Sequence, residues 1–202
     1  FLISDEVYRE FCYTDEPHFS AMDIKGLEDK VILIDSVSKR YNLCGARVGC
    51  IISRNKEVMA AAMKYAQSRL CPPVLGQIAS IGALDTPDEY FAAVKEEYIR
   101  RRNYMIEGLN KIEGVYTPLP MGAFYTIAEL PVDDSEKFAK WMLENFRIDN
   151  ETTMITPAAS FYKTQGMGKN HARIAYVLEV GELKKALHIL EEGLKAYPGR
   201  TL

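Results

Sequence analysis

No hydrophobic run in this sequence approaches the roughly 20 residues that a membrane-spanning helix needs. No stretch reads as a signal peptide, and no internal repeat or low-complexity tract is present. Cysteine is scarce. Cys12, Cys44, Cys50 and Cys71 have neither the spacing of a metal site nor the density of a disulfide scaffold, so a reduced, cytoplasmic protein is the simplest reading. His18, His171 and His188 are scattered, and no metal is expected. An excess of one charge is missing too. With 25 basic and 28 acidic side chains the net charge is -3, which gives no reason to expect nucleic acid or an anionic membrane as partner. There is no initiator methionine. The chain opens on Phe1-Leu2-Ile3-Ser4, already inside what reads as a buried strand, and a fragment of a longer protein is expected.

What is present is ordinary for a soluble globular protein: 202 residues, 48% hydrophobic and 26% charged. Phe1–Ser4 and Val31–Ile34 are short apolar runs that each close on an aspartate, Asp5 and Asp35. Such runs suit strands buried on both faces of a mostly parallel sheet, and Arg47–Ser53 is a third candidate. Asn55–Leu70 reads as a helix, broken by Cys71-Pro72-Pro73, and helix resumes from Val74 to about Leu84. Asp85-Thr86-Pro87-Asp88 marks a turn and a new helix start. Phe91, Val94, Tyr98, Met105, Leu109 and Ile112 then recur at helical spacing down to Gly114, a long helix suited to bridging two domains. Beyond it, strands are expected at Val115–Thr117, Ala123–Ala128, Thr153–Ile155 and His171–Val177. Helices are expected at Ser135–Phe146 and along Leu183, Leu187, Leu190 and Leu194.

The chemistry concentrates in Ser36-Val37-Ser38-Lys39-Arg40-Tyr41-Asn42-Leu43-Cys44-Gly45-Ala46-Arg47-Val48-Gly49. One lysine follows an apolar strand, with hydroxyls before it and an arginine after it. Ser4-Asp5-Glu6-Val7-Tyr8 sets a carboxylate and a phenol at another strand end. Ligand crevices of open α/β sheets lie at such ends. Together these are the groups that pyridoxal phosphate requires. Lys39 supplies the amine for a covalent link and can then shuttle a proton. Asp5 can pair with the pyridine nitrogen, and Tyr8 can bond the ring hydroxyl. Ser36, Ser38 and Arg47 suit the phosphate, the arginine with two-pronged geometry. Singly, each has a plainer role: Lys39 an exposed lysine, Asp5 a loop cap, Tyr8 a core tyrosine, Arg47 a surface ion pair. The glycines flanking Arg47, Gly45 and Gly49, favour close approach of backbone to a ligand.

The pair of segments resembles the fold-type I pyridoxal-phosphate enzymes, most closely the class I/II aminotransferases, and the likeness covers nearly all of the chain while matching only the later half of such a protein. It implies an α/β fold. Residues 1–88 would be the later part of the large cofactor domain, with its three-layer, mostly parallel sheet, and residues 89–202 a small α+β domain. It also implies that Arg173, in the apolar strand His171–Tyr176, grips the substrate α-carboxylate. A structural salt bridge is the alternative there, because a charge in such a strand is costly unless paired. Gly122-Ala123-Phe124-Tyr125 resembles a family segment near the active site. The implied activity moves an amino group between an amino acid and a 2-oxo acid, in a homodimer. The same lysine would serve a carbon–sulfur lyase or a decarboxylase, and the fold also serves as the effector domain of some transcription regulators. Other family cofactor contacts belong to segments preceding Asp5 and have no counterpart here: a phosphate-binding turn, a ring-stacking aromatic and an asparagine. Arg100-Arg101-Arg102 reads as a solvated helix face, and Cys44 as packing.

Overall fold

The structure, a computed structural model, describes residues 1–202. The chain divides into two compact units, Phe1–Lys95 and Glu96–Leu202. The first holds a three-stranded sheet of order β1-β2-β3, with β1 Leu2–Asp5, β2 Val31–Ser36 and β3 Gly49–Ile52. β1 pairs parallel with β2, Asp5 facing Ile34. β3 runs antiparallel to β2, Ser36 facing Gly49, so one of the two pairings is parallel. The excursion between β2 and β3 doubles back on itself, the Val37 amide donating to the Val48 carbonyl at 3.3 Å. It contains α1, the single turn Val37–Arg40, and a 3-10 turn at Cys44–Ala46.

Burial in this sheet differs from expectation. β2 alternates, with Val31 and Leu33 buried. In β1, however, Leu2 is 40% and Ile3 67% exposed, and Ile51 and Ile52 of β3 are exposed too. Both are edge strands with a neighbour on one side only. The helices follow their breakers. α2, Lys56–Ser68, starts where the Asn55 side chain accepts from the Val58 amide at 3.0 Å, an N-cap of the preferred type. It ends ahead of the two prolines. α3, Val74–Gly82, seats its one buried residue, Gly76, against the Cys44–Ala46 turn, where a Cβ would run into the Ala46 carbonyl. α4, Asp88–Lys111, is the expected long helix and contains the boundary between the units.

The second unit has an antiparallel sheet of order β4-β6-β5: β4 Tyr125–Glu129, β5 Thr156–Pro157 and β6 His171–Ala175. Thr126, Ala128, Ala172 and Ile174 turn to the core. There they meet Met105 and Leu109 of α4, Phe138 and Met142 of α5 (Ser135–Asn145), and Leu183, Leu190 and Leu194 of α6 (Val180–Ala196). Tyr197 closes this core and donates to Asp133 Oδ1 at 3.0 Å. Burial, then the carboxylate, pushes its hydroxyl up to about 12.

Three strand expectations shift. Arg47 and Val48 lie before β3, and the expected Thr153–Ile155 strand is replaced by Thr156–Pro157. Val115–Thr117 yields only a bridge between Tyr116 and Glu129. The Asn110 side chain takes both backbone groups of Thr117, at 2.9 and 3.0 Å, leaving none for a ladder. The arginine cluster divides as well. Arg100 is an exposed partner of Glu97, whereas Arg102 is 7% exposed and donates to the Pro120 carbonyl and to Asn103.

Candidate active site

Because β1 and β2 are parallel, their carboxyl ends lie side by side, the usual place for a ligand in an α/β sheet. Asp5 is the last residue of β1 and Ser36 the last of β2. The Ser36 side chain caps α1 by accepting from the Ser38 amide at 3.2 Å. Lys39 is thereby held on the first turn after the strand. Its Nζ stands 5.9 Å from the centre of the Tyr8 ring. Tyr8 comes from the turn after β1, in which the Arg9 amide donates to the Glu6 carbonyl at 3.1 Å. Asp5 Oδ1 accepts from the Val7 amide at 3.2 Å and the side chain is otherwise exposed.

Arg47 reaches the same sheet end from the other side, one residue before Val48, which bonds Val37. Its backbone is left-handed, φ 54° and ψ 45°, and one guanidinium N–H returns to the Cys44 carbonyl at 2.8 Å. Of the two flanking glycines, Gly49 packs closely against Asp35 and Ser36 of β2. Space around Gly45 is open. Cys44 is exposed, so it does not pack as expected. The structure thus gathers Asp5, Tyr8, Ser36, Ser38, Lys39 and Arg47 at one end of one sheet. The set offers an amine, a carboxylate, a phenol, hydroxyls and a guanidinium. That matches an anionic, aromatic aldehyde with a basic ring nitrogen.

Two tethers here escaped the sequence reading. Arg40 Nη2 pairs with Asp35 Oδ2 at 2.7 Å, and its Nε lies 3.3 Å from Glu10, anchoring the lysine turn at its far side. Glu6 is 3% exposed and accepts from Ser4, Ser20, His18 and the Ala21 amide. Burial pushes its carboxyl up, but the bonds from His18, Ala21, Ser20 and Ser4 together hold it below its ordinary value. A partner twelve residues away in a loop leaves no periodic signal.

Arg173 lies in the second unit, in β6. Ala172 and Ile174 point to the core, so Arg173 shares the opposite face with Ile127, its cross-strand partner. The feared cost of a charge inside an apolar strand does not arise, because the alternation of the strand turns the side chain away from the core. No carboxylate forms an ion pair with it, against the salt-bridge alternative. Its guanidinium instead lies 5.4 Å from the Tyr125 ring and 5.2 Å from the Phe161 ring. A guanidinium near aromatic rings keeps its N–H donors, which suit an anion. An open groove of about 570 Å³ runs beside it, lined in part by Thr153, Met154, Thr156 and Leu178.

The family model for aminotransferases of class I and II matches residues 1–190. An aspartate aminotransferase of Rhizobium meliloti is 28% identical over 207 residues, covering 96% of this chain and 48% of the relative. One from Thermotoga maritima is 30% identical over 196 residues, covering 97% and 48%. The crystal structure of an aspartate aminotransferase from Thermotoga maritima superposes with a TM-score of 0.80 at 28% identity, over 97% of this chain and 48% of that one. An aromatic aminotransferase from Pyrococcus horikoshii gives 0.80 and 28%, over 96% and 50%. This chain therefore spans about half the length of the curated relatives it matches.

Proposed function

From the premise that this chain belongs to the aminotransferase class I and II family, we propose that it is the later half of a pyridoxal-phosphate-dependent aminotransferase. Residues 1–88, within the first unit, would complete the large cofactor domain, and residues 89–202 would form the small α+β domain. The reaction would move an amino group from an amino acid to a 2-oxo acid, in a homodimer. Four unpaired cysteines suit a reducing, cytoplasmic setting.

The observation that carries the proposal is the meeting of Lys39, Tyr8 and Asp5 at adjacent parallel strand ends. When bound, pyridoxal phosphate supplies an electron sink for the pair left when the substrate α-carbon loses its proton. The chain's own residues do the rest. Lys39 Nζ is the amine that would hold the cofactor covalently, and as a free amine it would carry the proton to and from the substrate α-carbon. The Asp5 carboxylate would pair with the ring nitrogen and favour its protonated form. The Tyr8 hydroxyl would donate to the ring oxygen. Ser36, Ser38 and Arg47 would bind the phosphate, and Arg173 would receive the substrate carboxylate. The test is borohydride reduction of the full-length protein loaded with pyridoxal phosphate, followed by peptide mass mapping. The added mass is expected on Lys39, and labelling of another lysine would refute the assignment.

A further inference from the structure

Glu6 is the only acidic side chain in either unit that is buried, and no step above uses it. Its carboxylate is fully engaged. Oε1 accepts from the Ala21 amide at 2.8 Å, Ser20 Oγ at 3.1 Å and Ser4 Oγ at 3.2 Å, and Oε2 lies 2.8 Å from His18 Nε2. Its backbone is engaged as well. The Glu6 amide donates to the Ile34 carbonyl at 2.9 Å, one residue past the end of β1, and the Glu6 carbonyl closes the turn that carries Tyr8. Side chains alternate along a strand. Ser4 and Glu6 therefore share a face, and Asp5 turns to the other.

We propose that Glu6 is a positioning residue. By tying the end of β1 to the His18–Ala21 segment, it fixes the direction of Asp5 on one side and the turn bearing Tyr8 on the other. Both groups are thus held ready for the cofactor ring, a role that rests on the aminotransferase reading above. Fixed geometry matters here because charge pairing and a directional hydrogen bond each weaken with small displacements. A carboxylate is needed because all four neighbours can donate. An amide would present its own N–H groups to one of them and leave a donor unmatched.

The test uses the full-length protein with pyridoxal phosphate as the probe. Glu6→Gln is expected to weaken binding about tenfold or more, the size typical of removing a partner that orients a ligand-holding group. It is also expected to shift the absorption band of the bound cofactor, since Asp5 and Tyr8 set the charge around the ring. The KM for the amino acid should stay within about twofold while kcat falls, because Arg173 is untouched. A lower melting temperature with unchanged affinity and unchanged band would overturn the proposal and leave Glu6 a stabilising residue only. If Glu6→Gln does not fold, Ser20→Ala, which removes one donor of the four, must move affinity and band in the same direction. No movement there overturns the proposal equally. A wild-type protein that binds no pyridoxal phosphate would refute the aminotransferase reading itself, and this inference with it.

Discussion

Arg47 occupies a backbone conformation that costs an L-residue roughly 1–2 kcal/mol. Arg47→Gly removes that strain but loosens the unfolded chain by about 0.4–1 kcal/mol. The two terms nearly cancel. Stability in thermal denaturation of the cofactor-free full-length protein should therefore change by less than about 1 kcal/mol. Affinity for pyridoxal phosphate should fall about tenfold or more, since hydrogen bonds to charged groups are worth about 1.5–3 kcal/mol. A titration showing wild-type affinity would remove Arg47 from the phosphate site. The same residue marks a boundary of what its sequence context discloses. The glycines on either side suggest close approach of backbone to a ligand, yet Gly45 approaches nothing, and the left-handed residue is the arginine itself.

At the level of elements, α3 and the Cys44–Ala46 turn are in contact through Gly76. Gly76→Ala puts a methyl group against backbone, which cannot swing aside as a flexible side chain would. We expect a loss of about 1–3 kcal/mol, the usual cost of overpacking, with weakened cofactor binding because the turn next to Arg47 must move. Gly82→Ala, at the open end of the same helix, is the control. It meets nothing, and helix propensity favours alanine by up to about 1 kcal/mol. Denaturant melts of both variants decide this, and equal effects would mean that α3 does not brace the turn. The elements also show what could be read in advance. The strand ends bearing Asp5 and Lys39 were legible because a short apolar run closing on polar residues is a local signal. Helices α2 to α6 were legible from period and breakers. The Val115–Thr117 strand was not, since its hydrogen bonds are diverted by an asparagine on a neighbouring helix. The face taken by Arg173 depends on register against β4, and the burial of Glu6 depends on a loop partner. Both are long-range facts that periodicity does not carry.

For the molecule as a whole, the two units differ in how much apolar surface they bury by themselves. The second has a continuous core running from Met105 to Tyr197. The first leaves Leu70, Val74, Leu75, Ile78, Ile81 and Leu84 exposed, together with the outer edge of β1. Amide hydrogen exchange of the 202-residue chain should find the slowest sites in β4, β6 and α6, and faster exchange in β1. Unpaired edges and exposed apolar faces recruit other chains, so sedimentation should show concentration-dependent association. A strictly monomeric chain with uniform protection would contradict this. The Glu6 tie has a consequence at this scale too, in polymer terms. Between β1 and β2 the chain makes its crossover with a single 3-10 turn at Ala21–Asp23 and no α-helix. A crossover so bare would close one long loop. By clasping Ala21, the carboxylate acts as a non-covalent cross-link that splits it into two short ones. Each doubling of a loop costs only about 0.6 kcal/mol in closure entropy. Insertions at the exposed tip around Asp15–Pro17 are then confined to the first ring, and the spacing from the clasp to the strand that presents Lys39 is left as it was.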